Sequence, residues 1–76
     1  GLTPWVGIGT GDGSNKTFTL VGWDGSGTPE VRVDGLSLPA GEYSYSASAL
    51  TVTLLDAPAS GAEVAARFRY GAGTRP

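Results

Sequence analysis

Cysteine and histidine are both absent from this 76-residue chain. Without cysteine no disulfide can staple the fold, and with neither residue the usual zinc sites have no ligands. A domain this small buries only roughly 60% of its unfolded surface, so the missing staples leave good packing or partner contacts to stabilise it. Cationic charge is scarce too, with five Lys and Arg against seven Asp and Glu. A net charge of −2 argues against a general phosphate-binding surface, and hence against nucleic acid as partner. No apolar run is long enough to span a bilayer, and the opening GLTPWVGIG has neither the basic end nor the apolar stretch of a signal peptide. The chain opens at Gly1, as after removal of an initiator or as a piece of something longer.

Glycine, by contrast, is abundant at 13 residues, with five prolines beside it. These residues punctuate short segments that alternate apolar and polar positions with period two, the pattern of a half-buried strand. In Lys16–Val21, Phe18 and Leu20 share one face and Thr17 and Thr19 the other. Val31 and Val33 alternate with Glu30, Arg32 and Asp34. Asp34-Gly35 is a hairpin signal that requires positive φ at both positions, after which Leu36 and Leu38 resume the apolar face. Tyr43 and Tyr45 pair in the next segment, and Leu50, Val52 and Leu54 in the one after. Val64, Ala66, Phe68 and Tyr70 line the last, with Arg67 and Arg69 facing out. No window holds a helical period. The expectation is an all-β fold, a small antiparallel sandwich or barrel of five to six short strands. Its core is Phe18, Leu20, Val31, Val33, Leu50, Val52, Leu54, Val64 and Phe68. Gly11, Asp12 and Gly13 permit a sharp bend into the first core strand, which leaves residues 1–10 as an extended arm outside a β-domain of residues 11–76.

The ordered set GDGS, TFTL, VRVDG, Glu42-Tyr43, the threonine-rich Leu50–Leu54 and Pro58 to Gly61, ending in Val64–Tyr70, resembles a small β-module of tailed-bacteriophage virion proteins. The resemblance spans about residues 11–70; Glu42 stands where aspartate is commoner, and GWDGSGTP replaces a simpler linker. It implies a structural protein of the virion, assembled in the bacterial host cytoplasm. A capsid decoration or head-attachment protein would bind the major capsid protein or other virion proteins as a homo-oligomer in the particle. A tail or fibre module, with contact to host glycans, is the alternative.

Catalysis has little to work with. Histidine and cysteine are missing, no serine sits in a nucleophile-elbow context, and Asp12, Asp24, Asp34 and Asp56 all fall at turns. No cofactor is expected. Asp24, Ser26, Thr28 and Glu30 alternate oxygen groups, but two carboxylates and a proline make a solvated turn rather than a calcium loop. GTGDGS is followed by a strand, not the helix that a phosphate-cradling loop needs. The candidate site residues are therefore partner-binding ones. On the arm, Leu2, Trp5, Val6 and Ile8 are apolar residues separated by glycine and proline, and the arm is expected to dock on a neighbouring copy or on the capsid with Trp5 as its main anchor. Trp5 and Trp23 each either cap an open end of the core, meet a neighbouring subunit or stack a sugar. Arg67 and Arg69 either pair across strands with Glu30 or Glu42 or form a docking edge.

Overall fold

The structure, a computed structural model, describes residues 1–71. Seven strands run in the order β1 (Val6–Thr10), β2 (Thr17–Thr19), β3 (Glu30–Val33), β4 (Leu36–Ser37), β5 (Tyr43–Ser46), β6 (Thr51–Leu54) and β7 (Glu63–Arg67), with a single 3-10 turn at Ala40–Glu42. They form two antiparallel sheets, β1-β7-β3-β4 and β2-β6-β5, that do not close into a barrel. The expected all-β class holds, and of the sandwich and the barrel the chain adopts the sandwich; seven strands stand among the described residues where five to six were expected, β1 being the addition.

The core lies between the sheets. Phe18, Val52 and Leu54 enter it from the three-stranded sheet, and Val31, Val64, Ala66 and Phe68 from the four-stranded one, with Leu20 and Trp23 joining from the connection after β2. Val33 and Leu50 pack against this cluster but are only half-buried. Leu50 stands at φ 57°, closing the β5–β6 turn, and its carbonyl accepts the Leu20 amide at 2.8 Å. A leucine in the left-handed region costs roughly 1–2 kcal/mol, held here by that bond and by packing. Leu36, paired with Val33, does lie on the apolar face, but β4 is a two-residue edge strand and leaves it exposed. Leu38 does pack on the core. Tyr43 is half-buried with its hydroxyl donating to the Pro29 carbonyl at 2.7 Å, while Tyr45 is largely exposed. Tyr70 is half-buried and forms an isolated bridge with Trp23.

The expected turn at 34–35 is present. Asp34 has φ 50° and Gly35 φ 80°, positive at both positions as a type I′ hairpin turn requires. Asp34 also continues the sheet. Its amide donates to the Glu63 carbonyl and its carboxylate accepts the Glu63 amide, both at 2.8 Å.

Residues 1–10 are not an arm outside the sandwich. Val6–Thr10 pair antiparallel with β7, with Ile8 as an extra residue between Gly7↔Ala65 and Gly9↔Val64. Val6 and Ile8 pack on the core. A Cβ at Gly9 would lie 2.7 Å from the Phe18 ring, so this glycine lets a ring of the second sheet rest on the backbone of the first. Upstream, Thr3 is buried and pairs twice with Phe68, its amide donating to the Phe68 carbonyl at 2.8 Å and its hydroxyl accepting the Phe68 amide at 3.1 Å. The segment is extended, but it is an integral edge of the four-stranded sheet.

The stretch GDGS has a second purpose beyond bending. Gly11 donates to the Ala62 carbonyl at 2.7 Å and accepts from the Gly61 amide at 2.9 Å, and Gly13 donates to the Pro58 carbonyl at 2.9 Å. This docks it backbone to backbone on the loop before β7. A Cβ at Gly11 would fall 2.2 Å from the Ala59 carbonyl oxygen.

Gly11→Ala should therefore destabilise the fold by at least about 2 kcal/mol, because backbone rather than a flexible side chain must give way. Gly41→Ala, with nothing within 4 Å of the added methyl, should be neutral or stabilising. Urea midpoints of the two variants against the parent check this contrast. Phe68→Ala, which empties a site 2% exposed, should cost about 3–5 kcal/mol in the same assay.

Candidate functional site

The six residues expected to meet a partner divide between two faces. Trp23 is 3% exposed and is a core residue. Its indole N–H donates to the Ser26 carbonyl at 2.8 Å, and Tyr45 meets it edge-on at 5.9 Å. The glycine-rich loop folds back to bury it, so it cannot reach a neighbouring subunit; of its three readings, capping the core is the one realised. Ile8 also turns toward the interior. With Val6, Thr19, Val21 and Phe68 it lines a shallow cleft of about 210 Å³ between the open edges of β1 and β2.

Leu2, Trp5, Arg67 and Arg69 come together on the outer face of the four-stranded sheet. Side chains alternate across β7, so that Val64, Ala66 and Phe68 go in while Ala65, Arg67 and Arg69 go out. Leu2 bridges to Arg69 and is more than half exposed. Trp5, half-buried, covers the guanidinium of Arg67 at 5.3 Å and that of Arg32, from β3, at 3.9 Å. Each such cation–ring contact is worth roughly 0.5–1 kcal/mol at an accessible site. Trp5 is thus fixed to its own sheet rather than carried on a free arm.

Arg67 takes the cross-strand partner expected of it. It stands opposite Glu30 and donates through Nε at 3.0 Å and Nη2 at 2.7 Å to one carboxylate oxygen. Both side chains are more than a third exposed, so the pair contributes about 0.2–1 kcal/mol. Arg69 is exposed, and its backbone carbonyl accepts the Asp24 amide at 3.0 Å. Arg32 was not singled out from sequence. Its proximity to Trp5 follows from the β3–β7 register, which places it diagonally beside Arg67.

The oxygen-bearing run at 24–30 disperses. Asp24 accepts both the amide and the hydroxyl of Ser26, Thr28 faces the Tyr45 hydroxyl at 3.4 Å, and Glu30 holds Arg67. Among the described residues no three carboxylates gather into a metal-binding group. No helix among them is long and apolar enough to cross a membrane. The opposite outer face, on the three-stranded sheet, is chemically different. Thr17, Thr19, Ser44, Ser46, Thr51 and Thr53 present only hydroxyls, and Thr17 and Thr53 meet at 3.1 Å.

Burial, with smaller contributions from the charge of Glu30 and from Tyr45, pushes the Tyr43 phenol above its ordinary value. Two exposed turn carboxyls move the other way. Amides of Asn15 and then Ser14 hold Asp12 below its ordinary 3.8. The Ser26 hydroxyl and then its amide hold Asp24 below the same value, with a smaller contribution from Arg69.

No family model, curated protein or solved structure matches the chain.

A carboxyl with a depressed folded-state pKa stabilises fully above its unfolded value and loses that contribution as pH falls through the folded one. The melting temperature should therefore begin to drop below about pH 3.8. Asp12→Ala should lower it at neutral pH and converge on the parent in acid, which thermal melts across that range will read.

Proposed function

We propose that this chain is a non-catalytic binding module of a tailed-bacteriophage particle, in the first place a capsid decoration or head-attachment protein. The observation that carries the reading is the ordered series from GDGS to the final tyrosine-ended strand, which resembles that class of virion module along most of the chain. The chemistry is compatible with it. The described residues offer turns, a packed core and a decorated sheet face, and binding needs no more than these.

Attachment in this reading works through the outer face of the four-stranded sheet. Leu2 supplies exposed apolar surface, Trp5 a large ring held in place, and the arginines polar contacts at its rim. Aromatic and arginine anchors of this kind carry most of the energy at protein interfaces. A tail or fibre module that stacks host sugar on Trp5 is the second reading, favoured by the placement of that ring on an outward sheet face.

Copy number in the native particle separates the two, hundreds for a capsid component and a handful for a fibre tip. Deleting residues 1–10 would remove a strand from the sheet, so point variants are the proper test of attachment. Trp5→Ala should keep the fold and weaken binding to particles that lack this protein by at least about tenfold, as expected for an interface anchor. Undiminished binding with an intact fold rejects this face. A glycan array that selects Trp5-dependent sugars favours the fibre reading.

A further inference from the structure

Arg32 differs from its neighbours on the Trp5 face. Arg67 is held by Glu30, and the Arg69 side chain is exposed to solvent, its contact with Asp24 being a backbone one. The Arg32 side chain makes no hydrogen bond or ion pair with another described residue, and its Nε–H is sealed from solvent with no acceptor. The ring of Trp5 covers one face of its guanidinium at 3.9 Å. What such a stacked guanidinium still offers is its in-plane N–H edge, whose fork matches a carboxylate. The Nε–H itself is out of a ligand's reach, so a carboxylate would meet the two Nη groups, which are not sealed and carry no partner among the described residues.

The charge distribution points the same way. Three of the five cationic side chains, Arg32, Arg67 and Arg69, lie on this one face of a chain that is net negative. A chain of this net charge has no long-range attraction for any polyanion, peptide or nucleic acid, so recognition here has to be local. The chain does have a local cationic spot roofed by an indole, with the small Ala65 beside it in register. We propose that Arg32, lidded by Trp5, receives a carboxylate from a short acidic segment of a partner protein. This deepens the binding-module reading and rests on it. Glu63, one diagonal step along β7, forms no ion pair with Arg32 and weakens the site's attraction for an anion.

The test is a titration of isotope-labelled protein with an oligoglutamate peptide, followed by NMR at low and high salt. The Trp5 indole N–H and the Arg32 Nε–H should shift together and saturate, more weakly at high salt, while the Trp23 indole stays still. Arg32→Gln should weaken binding by about tenfold or more, Arg32→Lys by less, and Glu63→Gln should tighten it. The proposal is overturned if Arg32→Gln keeps a dispersed spectrum and binds like the parent, or if no saturable shift reaches Trp5. Should Arg32→Gln fail to fold, Arg32→Lys binding as tightly as the parent has the same force. An oligonucleotide or pyrophosphate that moves these signals at lower concentration than the peptide also overturns it, in favour of a phosphate ligand. The titration uses no particle, so it can fail while attachment to the particle holds, and the reverse.

Discussion

Everything in this fold leans on β7. It is paired on both flanks, by β1 and by β3, and its inward residues Val64 and Ala66, with Phe68 just beyond, are buried almost completely. Ala65 and Ala66 keep it thin, so that two neighbouring strands and the opposite sheet can approach. Its last turn outward places Arg67 and Arg69 on the face where Trp5 and Leu2 arrive from the other direction. Without the β1–β7 pairing the chain would lose an edge strand, the Thr3–Phe68 contacts and the platform under Trp5 together.

The elements with strict alternation and branched or aromatic residues were legible from sequence: β2, β3, β6 and β7 sit where Phe18, Val31, Val52 and Val64 predict them. The 34–35 turn was legible because positive φ at two successive positions leaves few residue choices. β1 was not, because Gly7 and Gly9 read as loop, and the bulge at Ile8 breaks the alternation by setting Gly9 opposite Val64 on the core side. Val6 and Ile8 did carry the period-two signal in an otherwise turn-like stretch. Trp23 misled in the converse way. It lies in a run of glycine and small polar residues, and its burial depends on a loop folding back across the core end, which no local pattern encodes.

The candidate site shows the same division. The Glu30–Arg67 pair follows from two strands being neighbours, and neighbouring strands with opposite charges are a guess that sequence supports. The contact of Trp5 with Arg32 spans three strands of the sheet, β1's leading segment, β7 and β3, and depends on the register of each pairing. A one-residue slip would turn either side chain to the core. Of the residues picked for their type, Leu2, Trp5, Arg67 and Arg69 share a face, while Ile8 and Trp23 were drawn inward by the apolar character that made them candidates.

The two ends of the described chain lie side by side in the four-stranded sheet. Gly1 and Tyr70 exchange backbone hydrogen bonds, with the amino terminus donating to the Tyr70 carbonyl at 3.2 Å and the Tyr70 amide to the Gly1 carbonyl at 3.0 Å. Both ends of the described chain therefore leave from the same end of one antiparallel pairing. A load applied across Gly1 and Gly71 pulls that pairing open like a zipper, one bond at a time, instead of shearing many at once. The sandwich is mechanically soft along its own backbone.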